Sequence, residues 1–257
     1  MRVSNTFKQG IRDKRIQFGL WSNLASNYST EVIAGAGYDW IVIDTEHSPT
    51  DLETVLGNLQ AIAAYPTAGV VRVPWNDTVT IKRYLDVGAQ SLIIPYVQTS
   101  DEAAAAVANV RYPPSGVRGV ALTTRATRFG RVPDYVRHAS DEIAVIVQIE
   151  NELGLGNLEA IAAVDGVDGL FIGPADLHAS LGYPGEIGHP KILSLIDEAV
   201  GRITRAGKAA GVFAPVEEHA RRWIGMGASI VALGSDIGIL ARGAEALLIR
   251  FRDAKPS

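Results

Sequence analysis

The chain has 257 residues, 24 Lys or Arg against 28 Asp or Glu, a formal net charge of −4, and 47% hydrophobic residues. It contains no cysteine, which excludes thiolate metal sites, iron–sulfur clusters, cysteine nucleophiles and disulfide scaffolds. A mildly acidic chain also lacks the positive field that nucleic acid or an anionic membrane requires. No run approaches the ~18 consecutive apolar residues of a spanning helix, and Met1 to Asp13 carry no apolar signal core. A soluble cytoplasmic protein without nucleic-acid or membrane partners is therefore expected.

Eight short apolar runs, rich in β-branched residues, recur along the chain: Gln17 to Trp21, Trp40 to Asp44, Gly69 to Val73, Ser91 to Pro95, Ala144 to Ile149, Gly169 to Gly173, Ala209 to Phe213 and Ser229 to Gly234. Most are continuously apolar rather than alternating, as strands covered on both faces of a parallel sheet are. Helical patterns fill the gaps, among them Asp51 to Ala64, Thr78 to Val87, Asp101 to Asn109, Ile192 to Ala206, Glu217 to Met226 and Ile237 to Arg252. Several end in a glycine shortly before the next strand (Gly37, Gly88, Gly166, Gly227), a helix C-cap feeding a short loop. One strand–helix unit per ~32 residues matches a (β/α)8 TIM barrel of the α/β class, which typically takes roughly 250 residues. Residues 1–257 thus read as a single barrel domain. The alternative, a doubly wound open sheet, usually carries a glycine-rich phosphate loop after its first strand, whereas here Trp21-Ser22-Asn23-Leu24 follows.

Arg111 to His138 interrupts the rhythm with six arginines, the pair Pro113-Pro114 and no clear strand. Segments this long are usually functional or disordered. The readings that compete for it are solvated surface, subunit contacts and the binding of an anionic substrate.

Chemistry in such a barrel sits at the C-terminal ends of the strands. Ionisable residues gather at four of them: Asp44-Thr45-Glu46-His47, Arg72, Glu150 and Asp176. A charge at the end of an apolar strand is costly to desolvate unless paired or coordinated, so this clustering favours a site. Glu150 and Asp176 end consecutive strands, and two carboxylates without Cys or His suit a hard divalent cation such as Mg²⁺, Mn²⁺ or Co²⁺. Gly173-Pro174-Ala175-Asp176-Leu177 reads as a strand end followed by a helix with proline in its first turn. Its amides on Ala175 and Asp176 form a seat for a small carboxylate. Arg72 offers a planar donor fork for a carboxylate or an enolate oxygen, with an ion pair to Asp44 or Asp86 as the plainer role.

Among five histidines, His47 lies three residues after Asp44, and an Asp partner orients an imidazole for acid–base work; His178, on the outgoing helix, ranks second. The six lysines avoid every strand interior and every strand C-terminal end, where Schiff-base chemistry needs one. Carbanion stabilisation then falls to a Lewis-acidic metal assisted by Arg72. The residues alone lead to metal-assisted enolisation or carbon–carbon cleavage of a small oxo acid.

Taken together, Trp40 to His47, Val71-Arg72-Val73-Pro74, Val147-Gln148-Ile149-Glu150 and Phe171 to Leu177 resemble the HpcH/HpaI family of class II, metal-dependent pyruvate aldolases. The resemblance covers almost the whole chain. It implies a modified barrel whose last helix is exchanged between subunits of a homohexamer, and reversible cleavage of 4-hydroxy-2-oxo acids to pyruvate and an aldehyde. It also implies Glu150 and Asp176 as metal ligands, Arg72 as the enolate-stabilising arginine, and His47 with Asp44 and Asp86 as the acid–base network. Gln148, Gly173, Pro174, Ala175 and Asp176 become pyruvate contacts, with Trp21 and Phe213 as pocket walls. The loop Gly116 to Val120 resembles the segment that reaches a neighbouring subunit. Thr124 to Arg131 is similar to members acting on 4-hydroxy-2-oxoheptanedioate, while related sugar-acid aldolases carry similar arginines. His178 departs from the pattern, which more often has a small hydroxyl residue there. A lyase acting on acyl-CoA esters and a metal-binding scaffold without turnover are the competing functions.

Overall fold

The computed structural model describes residues 4–252. Eight parallel strands close into one barrel in chain order, β1 (Gln17–Ser22), β2 (Trp40–Asp44), β3 (Ala68–Arg72), β4 (Ser91–Ile94), β5 (Ala144–Ile149), β6 (Gly169–Ile172), β7 (Ala209–Phe213) and β8 (Ala228–Ser235), with β8 pairing back onto β1. The expected (β/α)8 TIM barrel is the observed fold, and the open sheet is excluded by that closure. Helices return the chain between strands: α1 (Thr6–Arg12) precedes the barrel, followed by α2 (Asn27–Ala34), α3 (Leu52–Ile62), α4 (Thr78–Asp86), α5 (Ser100–Val110), α6 (Tyr135–His138), α7 (Glu152–Gly156), α8 (Leu158–Ala162), α9 (Pro174–Ser180), α10 (Pro190–Arg205), α11 (Glu217–Gly225) and α12 (Asp236–Arg252).

Two apolar layers hold the barrel. Outward-facing strand residues such as Ile41, Ile43, Val71 and Leu92 pack under the helices. Inward-facing Trp40, Val42, Val70, Ile93, Ile146, Phe171 and Ile230 fill the interior, with Phe7 of α1 beside them. Two glycines make room for the bulk of this inner layer. Gly19 lies opposite Trp40 in the β1–β2 register, and Gly211 opposite Phe171 in β6–β7. A Cβ at either position would intrude on the facing aromatic ring.

The strands run to within a residue or two of their expected limits. Gly173 leaves β6 to become the N-cap of α9, where Pro174 takes the first helical position and its missing N–H costs nothing. Gly88 and Gly227 adopt φ of 103° and 104°, the left-handed turn expected after a helix. No helix of the described residues is long and apolar enough to cross a membrane.

Candidate active site

In-register pairing of β2 with β3 sets Asp44 directly beside Arg72. Arg72 Nε and Nη2 donate to Asp44 Oδ1 and Oδ2 at 2.8 and 2.7 Å, a two-point fork between buried groups. Asp44 also accepts from Asn23 Nδ2 at 2.8 Å and from the Glu46 amide at 3.1 Å. Burial alone would raise the Asp44 carboxyl, but the Arg72 hydrogen bonds and charge outweigh it and hold it below its ordinary value. Burial likewise opposes the Arg72 charge, yet Asp44 keeps the guanidinium more firmly protonated than usual. The same guanidinium lies 5.3 Å from the centroid of the Trp21 ring, and its Nη1 stands 3.0 Å from Glu46 Oε2.

Two strands away, Glu150 follows β5 and is 2% exposed. Its Oε1 accepts the Tyr96 amide at 2.7 Å and its Oε2 accepts Gln148 Nε2 at 2.6 Å. Tyr96 reaches that carboxylate from a left-handed backbone, φ 56°, a conformation uncommon for a bulky side chain and frequent where a site over-determines it. Burial, reinforced by the charge of Glu46 and then of Asp176, pushes the Glu150 carboxyl up to about 7 despite the Tyr96 amide and Arg72. Gly173 lies against the same carboxylate: a Cβ there would be 2.6 Å from Glu150 Oε2. Three residues on, in the first turn of α9, comes Asp176.

These groups surround one cavity of about 200 Å³ at the C-terminal mouth of the barrel. Of the residues expected in the site, it is lined by Trp21, His47, Arg72, Gln148, Gly173, Pro174, Ala175, Asp176 and Phe213. Trp21 packs against Phe213 and Phe171 at 5.6 and 5.4 Å between ring centroids, forming an apolar wall. Glu150 touches this set from below through Gln148 and Gly173.

Two expected contacts are not made within this chain. Asp86 is not near the mouth: it ends α4, which returns the chain to the opposite end of the barrel, and it pairs with Arg118 at 3.0 Å. Nor does the Asp44 carboxylate orient the His47 imidazole, because Arg72, Asn23 and two backbone amides occupy it. The imidazole instead sits at the mouth with a largely exposed side chain, its Nε2 3.9 Å from Glu46 Oε1. His178 is buried on α9, its Nδ1 bonded to the Pro174 carbonyl of its own helix, and it is absent from the cavity wall.

Glu46, Asn23 and Phe171 belong to the site although no role was read for them from sequence. Glu46 bridges Arg72 and His47. Burial raises its carboxyl above its ordinary value, with the Asp44 and Asp176 charges adding to the rise and Arg72 and His47 opposing it. Its position two residues after a strand-end aspartate was a usable signal, because the turn brings both carboxylates to one guanidinium. Asn23, one residue past β1, carries no charge to mark it.

A closed parallel barrel with a buried fork of Arg and Asp, and a desolvated carboxylate opposite it at the C-terminal mouth, has the frame of a barrel enzyme. The chain belongs to the HpcH/HpaI aldolase/citrate lyase family, whose model matches residues 17–243. It is 56% identical over 247 residues to the pyruvate aldolase of Rhizobium etli, covering 96% of this chain and 97% of that one. It is 52% identical over 250 residues to the 4-hydroxy-2-oxo-heptane-1,7-dioate aldolase of Salmonella dublin, covering 97% and 95%. The crystal structure of a family protein from Burkholderia cenocepacia superposes with a TM-score of 0.94 at 42% identity, over 97% of this chain and 100% of that chain. With such relatives along almost its whole length, the chain is a carbon–carbon lyase of the class II aldolase type.

Proposed function

We propose that this protein cleaves 4-hydroxy-2-oxo acids reversibly to pyruvate and an aldehyde, at the cavity between Arg72 and Asp176. The observation that carries this reading is the Asp44-anchored Arg72 guanidinium on the wall that also holds Gln148 and Asp176. A permanently charged donor there meets an oxyanion in a water-poor setting, where such a group is worth roughly 3 to 4 kcal/mol. At about 200 Å³ the cavity suits a three-carbon oxo acid with a small aldehyde. It lies below the roughly 300 Å³ at which pockets for larger ligands begin, which disfavours an acyl-CoA ester. The filled positions around Arg72 also disfavour a scaffold without turnover.

The residues fit a divalent cation. Glu150 is a carboxylate whose ionised form burial and two neighbouring acids penalise, a penalty that a dication removes. Gln148 Oε1 beside it is buried with no donor. Glu150 and Asp176 are the residues that would hold the ion. Among the described residues no three His, Cys, Asp or Glu side chains form a ligand cluster; Mg²⁺ and Mn²⁺ commonly take only one or two protein carboxylates, and water and substrate oxygens would supply the rest. When bound, the cation supplies Lewis acidity toward the 2-oxo group.

The chain's own residues then do the following. His47 Nε2 takes the proton of the 4-hydroxyl, and Glu46 steadies the imidazolium that forms. The C3–C4 bond breaks, its electron pair moving into the C2–C3 enolate as C4 becomes the aldehyde carbon. Arg72 faces the enolate oxygen, and C3 recovers the proton to give pyruvate. Trp21, Phe171 and Phe213 keep water from that carbon. Asp86, placed at the far end, takes no part within one chain.

The exchange of the last helix between subunits of a hexamer belongs to the same proposal. Along α12, Ile239, Leu240, Leu247, Leu248 and Phe251 are all exposed, and only Asp236 is buried. Light scattering on a Leu248→Glu/Phe251→Glu variant tests it: smaller particles are expected, and an unchanged mass argues against it.

The decisive assay mixes pyruvate with a simple aldehyde. Activity that EDTA abolishes, that Mg²⁺ or Mn²⁺ restores and that borohydride leaves intact supports the reading; a borohydride-trapped pyruvate adduct would replace it with a lysine enzyme. A retro-aldol screen of 4-hydroxy-2-oxo acids varied in length and terminal charge then separates heptanedioate from sugar-acid substrates.

A further inference from the structure

A cavity larger than the one at the mouth lies at the other end of the barrel, outside the proposed aldolase site. It measures about 830 Å³, against about 200 Å³ for the catalytic cavity. Its walls are the end of α3, the segments that lead into β3 and β4, and the arginine-rich insertion. Arg125, Arg128 and Arg131 line it, and among the described lining residues there is no Asp or Glu. In a chain with more acidic than basic residues, guanidinium groups such as those of Arg125 and Arg131 on a concave wall whose described residues include no carboxylate favour an anion.

Arg125 is held at the edge of this space. Its Nη1 and Nη2 donate to the carbonyls of Val87 and Leu59 at 3.0 and 3.4 Å, and its guanidinium packs on Gly88 so closely that a Cβ there would collide with it. Neutral carbonyls leave the charge uncompensated. Burial, and then the neighbouring Arg128 charge, lower its pKa from the ordinary value, the direction that a bound anion reverses. Gln90 lines the same cavity, and its Nε2 is buried without an acceptor.

The loop that carries the other two arginines is conformationally costly. Arg128, Phe129 and Gly130 occupy consecutive left-handed conformations, φ 50°, 58° and 82°, and two of these are not glycine. The Phe129 amide bonded to Thr124 O and the Thr127 hydroxyl bonded to Leu122 O and Thr124 O hold this turn. Strain of this kind persists where a ligand or clamp rewards it.

We propose that this cavity is a second ligand site, binding a small multivalent anion with phosphate or carboxylate groups between Arg125, Arg131 and the Gln90 amide. Guanidinium forks match both oxyanion geometries, so the two sources share one chemistry. The site stands apart from the catalytic mouth, and its occupancy does not depend on Arg72.

Isothermal titration of the metal-loaded protein with inorganic phosphate, and in a second arm with succinate, tests this. Saturable binding of either anion is expected, weakened at least about tenfold in Arg125→Gln/Arg131→Gln and unchanged in Arg72→Gln. Tighter phosphate binding assigns a phosphorylated ligand, and tighter succinate binding a dicarboxylate. Arg125 also braces two carbonyls, so Arg131→Gln, at an exposed position, serves as the folded comparison. A several-fold weakening there at an unchanged melting temperature supports the site. Absence of saturable binding of both anions overturns it, as does binding that Arg72→Gln abolishes or that both arginine variants retain in full.

Discussion

Arg72 and Asp44 stand opposite each other in adjacent strands and share two hydrogen bonds, of 2.8 and 2.7 Å, inside the barrel mouth. The pairing leaves Nη1 as the one guanidinium nitrogen outside the fork, beside Glu46 and the cavity. Asp44 therefore aims the arginine as well as neutralising it.

Replacing Arg72 by Lys removes the fork but keeps a charge. Turnover is expected to fall by about 10² to 10³-fold, the loss of one well-placed oxyanion donor, because an ammonium cannot hold Asp44 at two points and still face the substrate. Steady-state pyruvate release measures it, and a Lys variant with full activity would refute the role given to Arg72.

Asp44→Ala leaves a buried guanidinium without its main partner. A loss of about 3 to 5 kcal/mol in stability is expected, read from urea unfolding. A variant as stable as the parent would show that Glu46 alone suffices as counterion.

The Glu150 carboxyl governs a pH dependence. Its pKa rises from 4.5 to about 7 on folding, so the folded state binds the proton more tightly than the unfolded chain. In metal-free protein this favours folding fully below about pH 4.5, declines as pH rises, and is lost above about 7. Glu150→Gln is expected to flatten that part of the stability curve. In the same range protons compete with the cation, so Mg²⁺ or Mn²⁺ affinity is expected to fall as pH drops below about 7. Unfolding curves and metal titrations across pH 4.5 to 8 would show both, and an affinity independent of pH would contradict the assignment of Glu150 as ligand.

Gly211→Val drives a side chain into the Phe171 ring. A loss of about 1 to 3 kcal/mol is expected from overpacking, together with weaker activity because Phe171 also lines the candidate active-site cavity. Smaller residues at position 171 should restore stability when combined with it, a coupling that thermal melts of the double variant detect.

The sequence by itself determined the barrel, since buried parallel strands must be apolar along their length and the helices between them must end in turns that only certain residues tolerate. It also marked the end of the barrel where the candidate site lies, because a charge at an apolar strand terminus is too costly to be incidental: Arg72, Glu150 and Asp176 were legible in this way, whereas Gln148, Trp21 and Phe213 followed only from the family resemblance. Only the tertiary structure decided which partner each charge takes. Asp44 and Asp86 were equal candidates for Arg72 in the chain, and sheet register chose the first while helix α4 carried the second to the opposite end. The Glu46 bridge, the acidity of Glu150 and the arginine-lined cavity behind the barrel were likewise invisible. Desolvation and ion pairing depend on distances between residues remote in sequence, and those distances exist only once the barrel has closed.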